Sequence, residues 1–338
     1  MGEKIRAYAA PEPGALLETF MLEVGPLPPD EVDITVEHCG ICHSDLSMID
    51  NEWGYTRYPL VAGHEVIGRI NACGNAVKGL QVGQRVGVGW FSRSCMVCRH
   101  CMGGDYHLCP QVETLMVARH GGFSERIRCH WAWASVLPDA LPAATSGPLF
   151  CAGSTVFSPI ADLGVRPTDH VGVIGVGGLG HLAVQFLRAW GCAVTAFSSN
   201  STKQSEIRKF GAHAVVDSHD AAALDQLAGT LDFLLVTTNV ALDWSRYLRA
   251  LAPHGRLHFV GAVLKPLDID VFGLIGGGRQ VSGSPLGRPT TTWKMLEFAG
   301  RHKVAPQVEH FPMSRINDAI ARVRAGKARY RVVLDADF

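Results

Sequence analysis

The sequence predicts an α/β protein with two domains, one an irregular β structure and the other a doubly wound parallel sheet. Three observations support this prediction. Short runs of β-type residues, broken by glycine and proline, fill the chain to about residue 150. Apolar runs then alternate with amphipathic helical patterns from about residue 151. A G-x-G-x-x-G turn directly follows the first of these apolar runs.

The first part of the chain predicts a compact β domain. The runs EVDITVEHCG, HEVIGRINACG and GQRVGVGW combine β-branched residues with flanking glycines, as expected of strands joined by turns. After GSPLGRPTT the pattern returns to helix, loop and a final strand, YRVVLDADF, and we expect this tail to rejoin the first domain. The expected domains are therefore residues 1–150 with 287–338, and residues 151–286.

The second part predicts a nucleotide-binding sheet. HVGVIGVGGLGHLAVQFLRAWG is typical of a buried strand, a glycine turn and an amphipathic helix, and further apolar runs follow at intervals suited to crossovers. Gly175, Gly177 and Gly180 form the turn, in which glycines permit a tight bend and a close approach of the backbone to pyrophosphate at a helix N-terminus. The alternative is a glycine turn that serves only helix packing.

Composition restricts the classes of partner. Of 338 residues, 47% are hydrophobic and 18% charged, enough to bury a large core. Lysine plus arginine equal aspartate plus glutamate at 31 each, so no net field favours nucleic acid or an anionic membrane. The N-terminal stretch lacks an apolar signal segment, and no run approaches the roughly 18 apolar residues of a spanning helix. These observations predict a cytoplasmic protein with neither a nucleic-acid nor a membrane partner.

Ten cysteines in such a chain favour metal ligands, because cytosolic thiols are kept reduced. SCMVCRHCMGGDYHLCP contains Cys95, Cys98, Cys101 and Cys109 with the spacing Cys-x2-Cys-x2-Cys-x7-Cys. This spacing predicts a closed tetrahedral zinc site with a structural role, in a lobe of about residues 90–112. One alternative is an iron-sulfur cluster, although ferredoxins place the last cysteine sooner. The other is four unrelated buried cysteines.

A second candidate metal site begins in GICHSDLSMIDNEWGYTRYPLVAGHE, residues 40–65. Cys42 and His43 are adjacent near its start, and His64 and Glu65 are adjacent at its end. Cysteine, histidine and glutamate all bind zinc, but these residues alone do not reveal the remaining ligand.

Taken together, the motifs resemble the zinc-dependent medium-chain alcohol dehydrogenases, above all the cinnamyl alcohol dehydrogenase branch and its bacterial broad-substrate NADP-dependent aldehyde reductases. GICHSD, AGHE, the four-cysteine lobe, LFCAGSTVFSP, GVGGLGH, SSN and KARYRVV occur in family order over essentially the whole chain. The resemblance implies a GroES-like catalytic domain, a Rossmann domain, and reversible NADP(H)-linked conversion of apolar aliphatic or aromatic aldehydes and primary alcohols. It also suggests a homodimer.

The resemblance implies a catalytic zinc bound by Cys42, His64 and Cys151, with a fourth position open to water, alcohol or aldehyde. Glu65 then either approaches the metal when the exchangeable ligand leaves or serves only as a charge partner. Asp45 corresponds to a carboxylate that orients the zinc-bound imidazole. With the lobe, two zinc ions per chain are expected.

The resemblance also assigns proton exchange with the substrate to the hydroxyl of Ser44. The family usually continues this relay to a histidine, whose position here is Ser47. The sequence therefore does not define how the proton passes from Ser44 to solvent. The nucleotide ribose together with water is one way to complete the relay.

The choice of nucleotide is predicted from AFSSNSTKQ, at the end of the second strand of the parallel sheet. NAD enzymes place an acidic residue there, whereas this loop offers Ser198, Ser199, Asn200 and Lys203. Charge-assisted hydrogen bonds of about 1.5 to 3 kcal/mol each then favour NADP(H). The alternative is a serine-rich loop that binds neither nucleotide tightly.

The resemblance places further residues around the cofactor and the substrate. Those expected at the cofactor are Thr155 near the nicotinamide, Gly177, Gly178, Leu179 and Gly180 on the pyrophosphate, and Arg331 near the phosphates. Those expected at the substrate are Trp53, Tyr55, Trp90 and Phe91. Aromatics at such spacing are often plain core, but these four flank the zinc-ligand segments and suit apolar aldehydes.

The remaining candidates receive no functional role. We interpret His38, His100 and His107 as structural or surface residues, and Cys39, Cys73, Cys129 and Cys192 as small apolar fillers. An alternative function of another class is a nucleotide-binding redox sensor that uses this fold without turnover. A sensor has no need of an open metal position, which favours the enzyme.

Overall fold

The computed structural model describes residues 3–338, so Met1 and Gly2 of the N-terminal stretch lie outside the described residues. The chain divides into two compact units. Unit 1 comprises Met1–Cys151, Gly287–Arg301 and Ala305–Phe338, and unit 2 comprises Ala152–Leu286 and His302–Val304. Within residues 3–338, no helix combines the length and the apolar character that a bilayer span requires.

The N-terminal part of unit 1 is mainly β structure. Its strands are β1 (Glu3–Ala9), β2 (Glu18–Val24), β3 (Glu31–Ile41), β4 (Glu65–Cys73), β5 (Arg85–Val88), β6 (Phe91–Arg93), β7 (Glu113–Thr114), β8 (Arg126–His130) and β9 (Ser135–Val136). Its helices are α1 (His43–Ile49), α2 (Arg99–Met102) and α3 (Ala143–Ser146). The three runs that predict strands correspond to β3, β4 and β5.

Unit 2 alternates helices and strands. In chain order these are α4 (Ala152–Asp162), β10 (His170–Ile174), α5 (Gly180–Trp190), β11 (Ala193–Ser198), α6 (Gln204–Lys209), β12 (Ala214–Asp217), α7 (Ala221–Asp225), β13 (Leu231–Val236), α8 (Trp244–Ala250), β14 (Leu251–Phe259), α9 (Val271–Gly277) and β15 (Gln280–Gly283). The strands form one parallel sheet in the order β12-β11-β10-β13-β14-β15. The predicted doubly wound sheet is confirmed. Its order reverses beside β10, and ligands of such sheets bind at the carboxyl ends of strands at this reversal.

The C-terminal part of the chain returns to unit 1. It contains α10 (Pro289–His302), β16 (Val308–Pro312), α11 (Ile316–Arg324) and β17 (Arg331–Asp335). β17 pairs antiparallel with β3, so that Val332 faces Ile41. The larger sheet of unit 1 therefore runs β16-β17-β3-β4-β5-β9, and β8 also pairs with β3. The end of the chain thus lies beside the strand that leads into α1.

Buried charges fix the start of β3 against its neighbours. The Glu31 carboxylate is 3% exposed and accepts hydrogen bonds from Arg119 at 2.7 Å and Arg93 at 3.0 Å. Arg119 also donates to Glu113 of β7 at 2.8 Å. A buried carboxylate requires such cations, because desolvation of an unpaired charge is costly. The network therefore connects β3 to the β6–β7 hairpin on either side of the four-cysteine lobe.

Candidate functional site

Cys42 occupies the junction between β3 and α1. It is the N-cap residue of α1, and its backbone N–H donates to Asp45 Oδ2 at 2.7 Å. A carboxylate at the third helical position that reaches back to the N-cap N–H is half of a capping box. The local sequence Cys-His-Ser-Asp therefore ends the strand, starts the helix and fixes the position of the Cys42 thiol.

Asp45 also orients His64. The carboxylate is fully buried and accepts from the Gly63 N–H at 2.9 Å and from His64 Nδ1 at 3.0 Å. Because Nδ1 carries the proton in this hydrogen bond, the lone pair of Nε2 faces the opposite side of the ring. Nε2 lies 3.2 Å from Cys151 Sγ.

Four donor groups converge at this point. The ligand atoms of Cys42, His64, Glu65 and Cys151 lie within 4.8 Å of one another, and all four residues are buried. The two Sγ atoms are 3.8 Å apart. Zinc bonds of about 2.0 to 2.3 Å in a tetrahedron separate ligand atoms by about 3.3 to 3.8 Å. The donor set and its spacing therefore fit a zinc ion.

Glu65 has one paired and one unpaired carboxylate oxygen. Its Oε1 accepts a hydrogen bond from Arg331 Nη2, whereas Oε2 has no hydrogen-bond partner among the described residues. A Cβ on Gly40 would come within 2.1 Å of Oε2, so a glycine leaves the space beside this oxygen. Because an unpartnered buried carboxylate oxygen is costly, a nearby cation suits the site.

The pairing of Glu65 with Arg331 has no signal in the sequence. The two residues are 266 positions apart and no local spacing relates them. We expected Arg331 near cofactor phosphates, and the structure brings its guanidinium to the Glu65 carboxylate in unit 1. Its Nε atom has no hydrogen-bond partner within the described chain, so one donor is left over.

Burial and the close contacts shift the pKa values of the four donor groups in different directions. The hydrogen bond from Cys151 lowers the pKa of the Cys42 thiol well below its ordinary value, and the same bond with burial raises the pKa of Cys151. Burial lowers the pKa of His64, but Asp45 outweighs burial and raises it well above the ordinary value. Burial raises the pKa of Glu65. The lowered pKa of Cys42 favours its thiolate, which is the form that binds a metal ion.

Two serines of α1 differ in their surroundings. Ser44 Oγ lies 3.7 Å from Cys42 Sγ and is half-buried. Ser47, at the position where the family usually has histidine, is 3% exposed and donates to Glu52 Oε2 at 2.6 Å. Glu52 itself is exposed. None of the sequence motifs considered above indicates a role for Glu52.

Three of the four predicted substrate-pocket aromatics form a row that begins at His64. The ring centroids of His64 and Trp90 are 5.0 Å apart, those of Trp90 and Trp53 are 5.9 Å apart, and Tyr55 stacks on Trp53 at 6.0 Å. The row ends at Tyr55, which is 47% exposed. It therefore forms an apolar surface that leads from the buried donor group toward solvent.

The structure separates Phe91 from this row. Phe91 is buried against Trp133, with ring centroids 5.3 Å apart, and lies 6.4 Å from the ring of His107. Neighbouring residues in an extended segment point to opposite sides, so Trp90 and Phe91 diverge.

The lobe brings its four cysteines together. The Sγ atoms of Cys95, Cys98, Cys101 and Cys109 lie within 4.8 Å of one another. The Cys98 N–H donates to Cys95 Sγ at 3.3 Å, and the Gln111 N–H donates to Cys109 Sγ at 3.4 Å. Backbone N–H donors lower the pKa of Cys95 to about 6, whereas burial raises that of Cys101 to about 12. Donors aimed at sulfur stabilise thiolates, which is the form that binds metal.

The glycine turn of unit 2 is tight and leaves open space beside its backbone at Gly177. Gly175 has a φ of +89°, which favours glycine, and a Cβ on Gly180 would lie 2.0 Å from the Gly175 carbonyl oxygen. Gly177 is exposed with open space above it, and α5 begins at Gly180. His181 Nδ1 donates to the Gly177 carbonyl at 3.0 Å, a contact that the sequence analysis missed although the spacing is one helical turn.

The predicted nucleotide-selecting loop follows β11. Ser198 is the last residue of the strand, and Ser199 and Asn200 are exposed. Asn200 Oδ1 accepts from the Thr202 N–H at 2.9 Å and so shapes the turn that leads to Lys203.

The other residues expected at the cofactor lie elsewhere in unit 2. Thr155, the expected nicotinamide contact, is buried in α4. Gly178 and Leu179 complete the turn before α5.

Comparison with known proteins decides the family. Residues 28–139 match the family described as alcohol dehydrogenase GroES-like domain, and residues 178–301 match the family described as zinc-binding dehydrogenase. The chain belongs to the zinc-binding alcohol dehydrogenases. The resemblance found in the sequence and the predicted fold class are confirmed, and this dehydrogenase is an oxidoreductase.

Relatives of this dehydrogenase cover nearly its full length. Aldehyde reductase AdhA of Synechocystis sp. is 51% identical over 330 residues, which span 98% of each chain. Cinnamyl alcohol dehydrogenase 2 of Rauvolfia serpentina is 38% identical over 98% of this chain and 95% of its own.

Solved structures agree with the same family. A cinnamyl alcohol dehydrogenase from Sorghum bicolor has a TM-score of 0.94 with 36% identity, covering 98% of each chain. The cinnamyl alcohol dehydrogenase from Helicobacter pylori, solved in complex with NADP(H), has a TM-score of 0.91 with 30% identity, covering 99% of each chain.

Proposed function

We propose that this dehydrogenase is a zinc-dependent, NADP(H)-linked alcohol dehydrogenase that acts mainly as an aldehyde reductase. The proposed substrates are apolar aliphatic and aromatic aldehydes and the corresponding primary alcohols. The observation that carries the proposal is the buried convergence of Cys42, His64, Glu65 and Cys151 within 4.8 Å. A redox sensor without turnover has no need of such a donor group in its interior.

In this proposal Cys42, His64 and Cys151 bind the catalytic zinc, and Asp45 fixes the tautomer of His64. When bound, zinc supplies Lewis acidity, which favours ionisation of an alcohol and polarises an aldehyde carbonyl for hydride transfer. Arg331 pairs with Oε1 of Glu65 and limits the motion of its carboxylate. The four lobe cysteines bind a second, structural zinc.

The roles proposed for the other residues follow the same arrangement. Ser44 exchanges the proton of the substrate oxygen, since it is half-buried beside Cys42. Trp90, Trp53 and Tyr55 line an apolar wall for the substrate, a geometry that favours aldehydes without charged groups. Phe91 supports this wall only indirectly, because it packs against Trp133.

The preference for NADP(H) is supported by the loop after β11. Ser198, Ser199, Asn200 and Lys203 present hydroxyls, an amide and a cation, and no carboxylate lies among residues 198–203. The exposed backbone of the turn at Gly177 supports pyrophosphate binding at the start of α5. We keep Thr155 as a contact of the nicotinamide. Residues 1–150 with 287–338 then form the catalytic domain, and residues 151–286 the nucleotide domain.

The deciding experiment compares catalytic efficiencies with NADPH and NADH on a panel of apolar aldehydes. Two or more charge-assisted hydrogen bonds to the 2′-phosphate predict a preference for NADPH on the order of a thousandfold. Ser199→Asp places a carboxylate close to the expected phosphate and offers NADH an acceptor for its ribose hydroxyl, so the preference should fall steeply. Ser205→Asp, which adds the same charge at an exposed position of α6, is the matched control and should change the ratio far less.

Four outcomes contradict parts of the proposal. A parent enzyme that prefers NADH contradicts the assignment of the nucleotide, as does a ratio that Ser199→Asp leaves unchanged. Absence of turnover with every aldehyde and both nucleotides favours the redox sensor. Iron with visible absorbance in place of about two zinc ions per chain contradicts the assignment of the lobe.

A further inference from the structure

The guanidinium of Arg119 binds two carboxylates at once. It donates to Glu31 at 2.7 and 2.9 Å and to Glu113 at 2.8 and 2.9 Å. The side chain of Arg119 is 18% exposed and that of Glu31 only 3%. Charge-assisted hydrogen bonds to a planar guanidinium fix its orientation as well as its position. Arg119 is therefore held between β3, which begins at Glu31, and β7, which begins at Glu113.

This contact closes a strained turn, residues 115–119, which we call the Met116 turn. Met116 has a φ of +69°, in the left-handed region that a residue with a Cβ adopts only at a cost. A backbone of this kind persists only where surrounding contacts hold it. Leu115 forms a β-bridge with Arg119, and the four hydrogen bonds of Arg119 to carboxylates fix that end of the turn.

The Met116 turn contacts two residues beside the buried donor group. The Leu115 N–H donates to the Trp90 carbonyl at 2.9 Å. Met116 Sδ lies 3.2 Å from the backbone nitrogen of Gly63, the residue before His64. The ring centroids of Trp90 and His64 are in turn 5.0 Å apart. The turn therefore holds the backbone on both sides of the contact between Trp90 and His64.

The aromatic row depends on the orientation of Trp90. Its ring stands at 81° to that of His64 and at 65° to that of Trp53, both edge-to-face contacts. Such contacts lose their attraction when one ring tilts or shifts. A small aldehyde offers little surface to the row, whereas a flat two-ring aldehyde must lie along it. A displaced Trp90 therefore penalises the second substrate more than the first.

We propose that Arg119 is a positioning residue for the substrate: through the Met116 turn it holds Trp90 against His64, and so favours aldehydes that fill the aromatic row. Arg119 acts through Trp90 and not by contact with the substrate. The inference rests on the aldehyde reductase function proposed above. It deepens that function by naming the charged group that makes a flat aromatic aldehyde a better substrate than a small aliphatic one.

A neighbouring ion pair of the same kind provides the matched control. Asp33 is 2% exposed, lies on β3 like Glu31, and accepts from Arg128 Nε at 2.7 Å. Each of the two buried carboxylates also has a second arginine, Arg93 at 3.0 Å for Glu31 and Arg126 at 3.5 Å for Asp33. Arg128 lies on β8, outside the Met116 turn. Arg128→Met therefore reproduces the loss of one cation without a change in the turn.

The kinetic test measures kcat/KM for reduction of 2-naphthaldehyde and of propanal and takes their ratio. Arg119→Met should lower this ratio about fivefold, mainly by raising KM for 2-naphthaldehyde, because an aromatic contact contributes a factor of about 2 to 12 in affinity. Arg119→Lys, which keeps the charge but not the planar fork, should lower it less. Arg128→Met should keep the parent ratio, although it too lowers the denaturant midpoint. Should Arg119→Met fail to fold, Glu113→Gln weakens the same contact more mildly and should shift the ratio in the same direction.

A double-mutant cycle tests whether Arg119 acts through Trp90. In a Trp90→Ala background the ring is absent, so Arg119→Met should change the ratio by less than about twofold. Arg128→Met should have the same small effect in both backgrounds. If the separate effects of Arg119→Met and Trp90→Ala instead multiply in the double variant, Arg119 does not act through Trp90 and the proposal is wrong.

Hydrogen exchange of the Leu115 amide supplies a readout that does not depend on turnover. This N–H donates to the Trp90 carbonyl and Leu115 is fully buried, so its exchange reports opening of the turn. Arg119→Met should accelerate this exchange relative to that of the β4 amides, whereas Arg128→Met should affect both alike. A parent that reduces neither aldehyde overturns the proposed function together with this selectivity. An active parent whose ratio is unchanged in Arg119→Met, or falls equally in Arg128→Met, overturns the role of Arg119 alone.

Discussion

The two four-donor groups of unit 1 are built in opposite ways. The lobe draws four identical thiols from the short segment Cys95–Cys109, and backbone N–H groups of the same segment point at the sulfurs. The buried group draws unlike donors from distant segments, with Cys42 and Cys151 separated by 109 positions. With the structural zinc proposed for it, the local group would depend on its metal to hold its own segment together. A group assembled over long range depends on the fold instead, and it keeps donors such as Glu65 that four thiols do not offer.

The largest effect is expected from Cys101→Ser in the lobe. Loss of one of four thiolates should release the structural zinc, whose apparent binding free energy of about 10 kcal/mol or more rivals the stability of a whole domain. Zinc content should fall by about one ion per chain, and little folded protein should be obtained. Cys129→Ser, a buried cysteine outside both groups, is the control and should cost only about 1 to 3 kcal/mol. If Cys101→Ser lowers the unfolding free energy no more than Cys129→Ser does, the lobe does not depend on a bound metal for its stability.

Cys42→Ser should abolish most of the activity while leaving the stability of the fold nearly unchanged. Removal of a catalytic zinc ligand eliminates several kcal/mol of charge stabilisation, so aldehyde reduction should fall about a thousandfold or more. Because β3, α1 and β4 position Cys42, His64 and Glu65 of this group, the denaturant midpoint should stay close to that of the parent. Zinc analysis should again show a loss of about one ion. A fall in midpoint as large as that of Cys101→Ser would show that both groups are structural.

A buried histidine of unit 2, His258, shows how burial changes the pKa of a histidine that contacts hydroxyls instead of a carboxylate. His258 is 1% exposed and lies 2.9 Å from the hydroxyls of both Ser282 and Ser284. Burial lowers its pKa from 6.5 to about 4, whereas Asp45 raises that of His64. The folded state therefore resists protonation of His258 below pH 6.5. Stability from this residue should fall as the pH drops from 6.5 toward 4, by about 3 kcal/mol at most.

Urea unfolding at a series of pH values measures this contribution. His258→Gln, which does not titrate, should flatten the decline of the unfolding free energy in that range. If the variant shows the same decline as the parent, groups other than His258 cause the fall in unfolding free energy at low pH.

The smallest effect is expected from Asp45→Asn. The carboxylate accepts three hydrogen bonds, including that of His64 Nδ1, and an amide cannot accept all three without exposing its own N–H groups to donors. Loss of such a partner typically weakens metal affinity by about 10 to 100-fold. Competition with a chelator should release one zinc more readily and leave the lobe zinc unchanged. An equal loss of zinc affinity at both sites would argue against two independent sites.

The sequence was most informative where the determining contacts are local. Strand runs, the glycine turn and the lobe cysteines were predictable because their patterns lie within a few residues of chain. Cys151 came only from family resemblance, because no spacing relates it to Cys42. The strand order of unit 2 was not predicted, because crossovers of similar length permit several orders. The pairing of Glu65 with Arg331 and the packing of Phe91 on Trp133 depend on long-range tertiary contacts, which the sequence does not display.

The position of Arg331 near the C-terminus has a consequence for synthesis of the protein on the ribosome. Cys42, Glu65 and Cys151 all emerge before the main part of unit 2, whereas Arg331 and the rest of β17 emerge after it. At about 5 to 20 residues per second, the interval between Cys151 and Arg331 lasts about 10 to 40 seconds. During this interval the nascent chain has every donor of the buried group but lacks the arginine that neutralises Glu65. The order of translation thus leaves the Glu65 carboxylate without this cation until β17 has been synthesised.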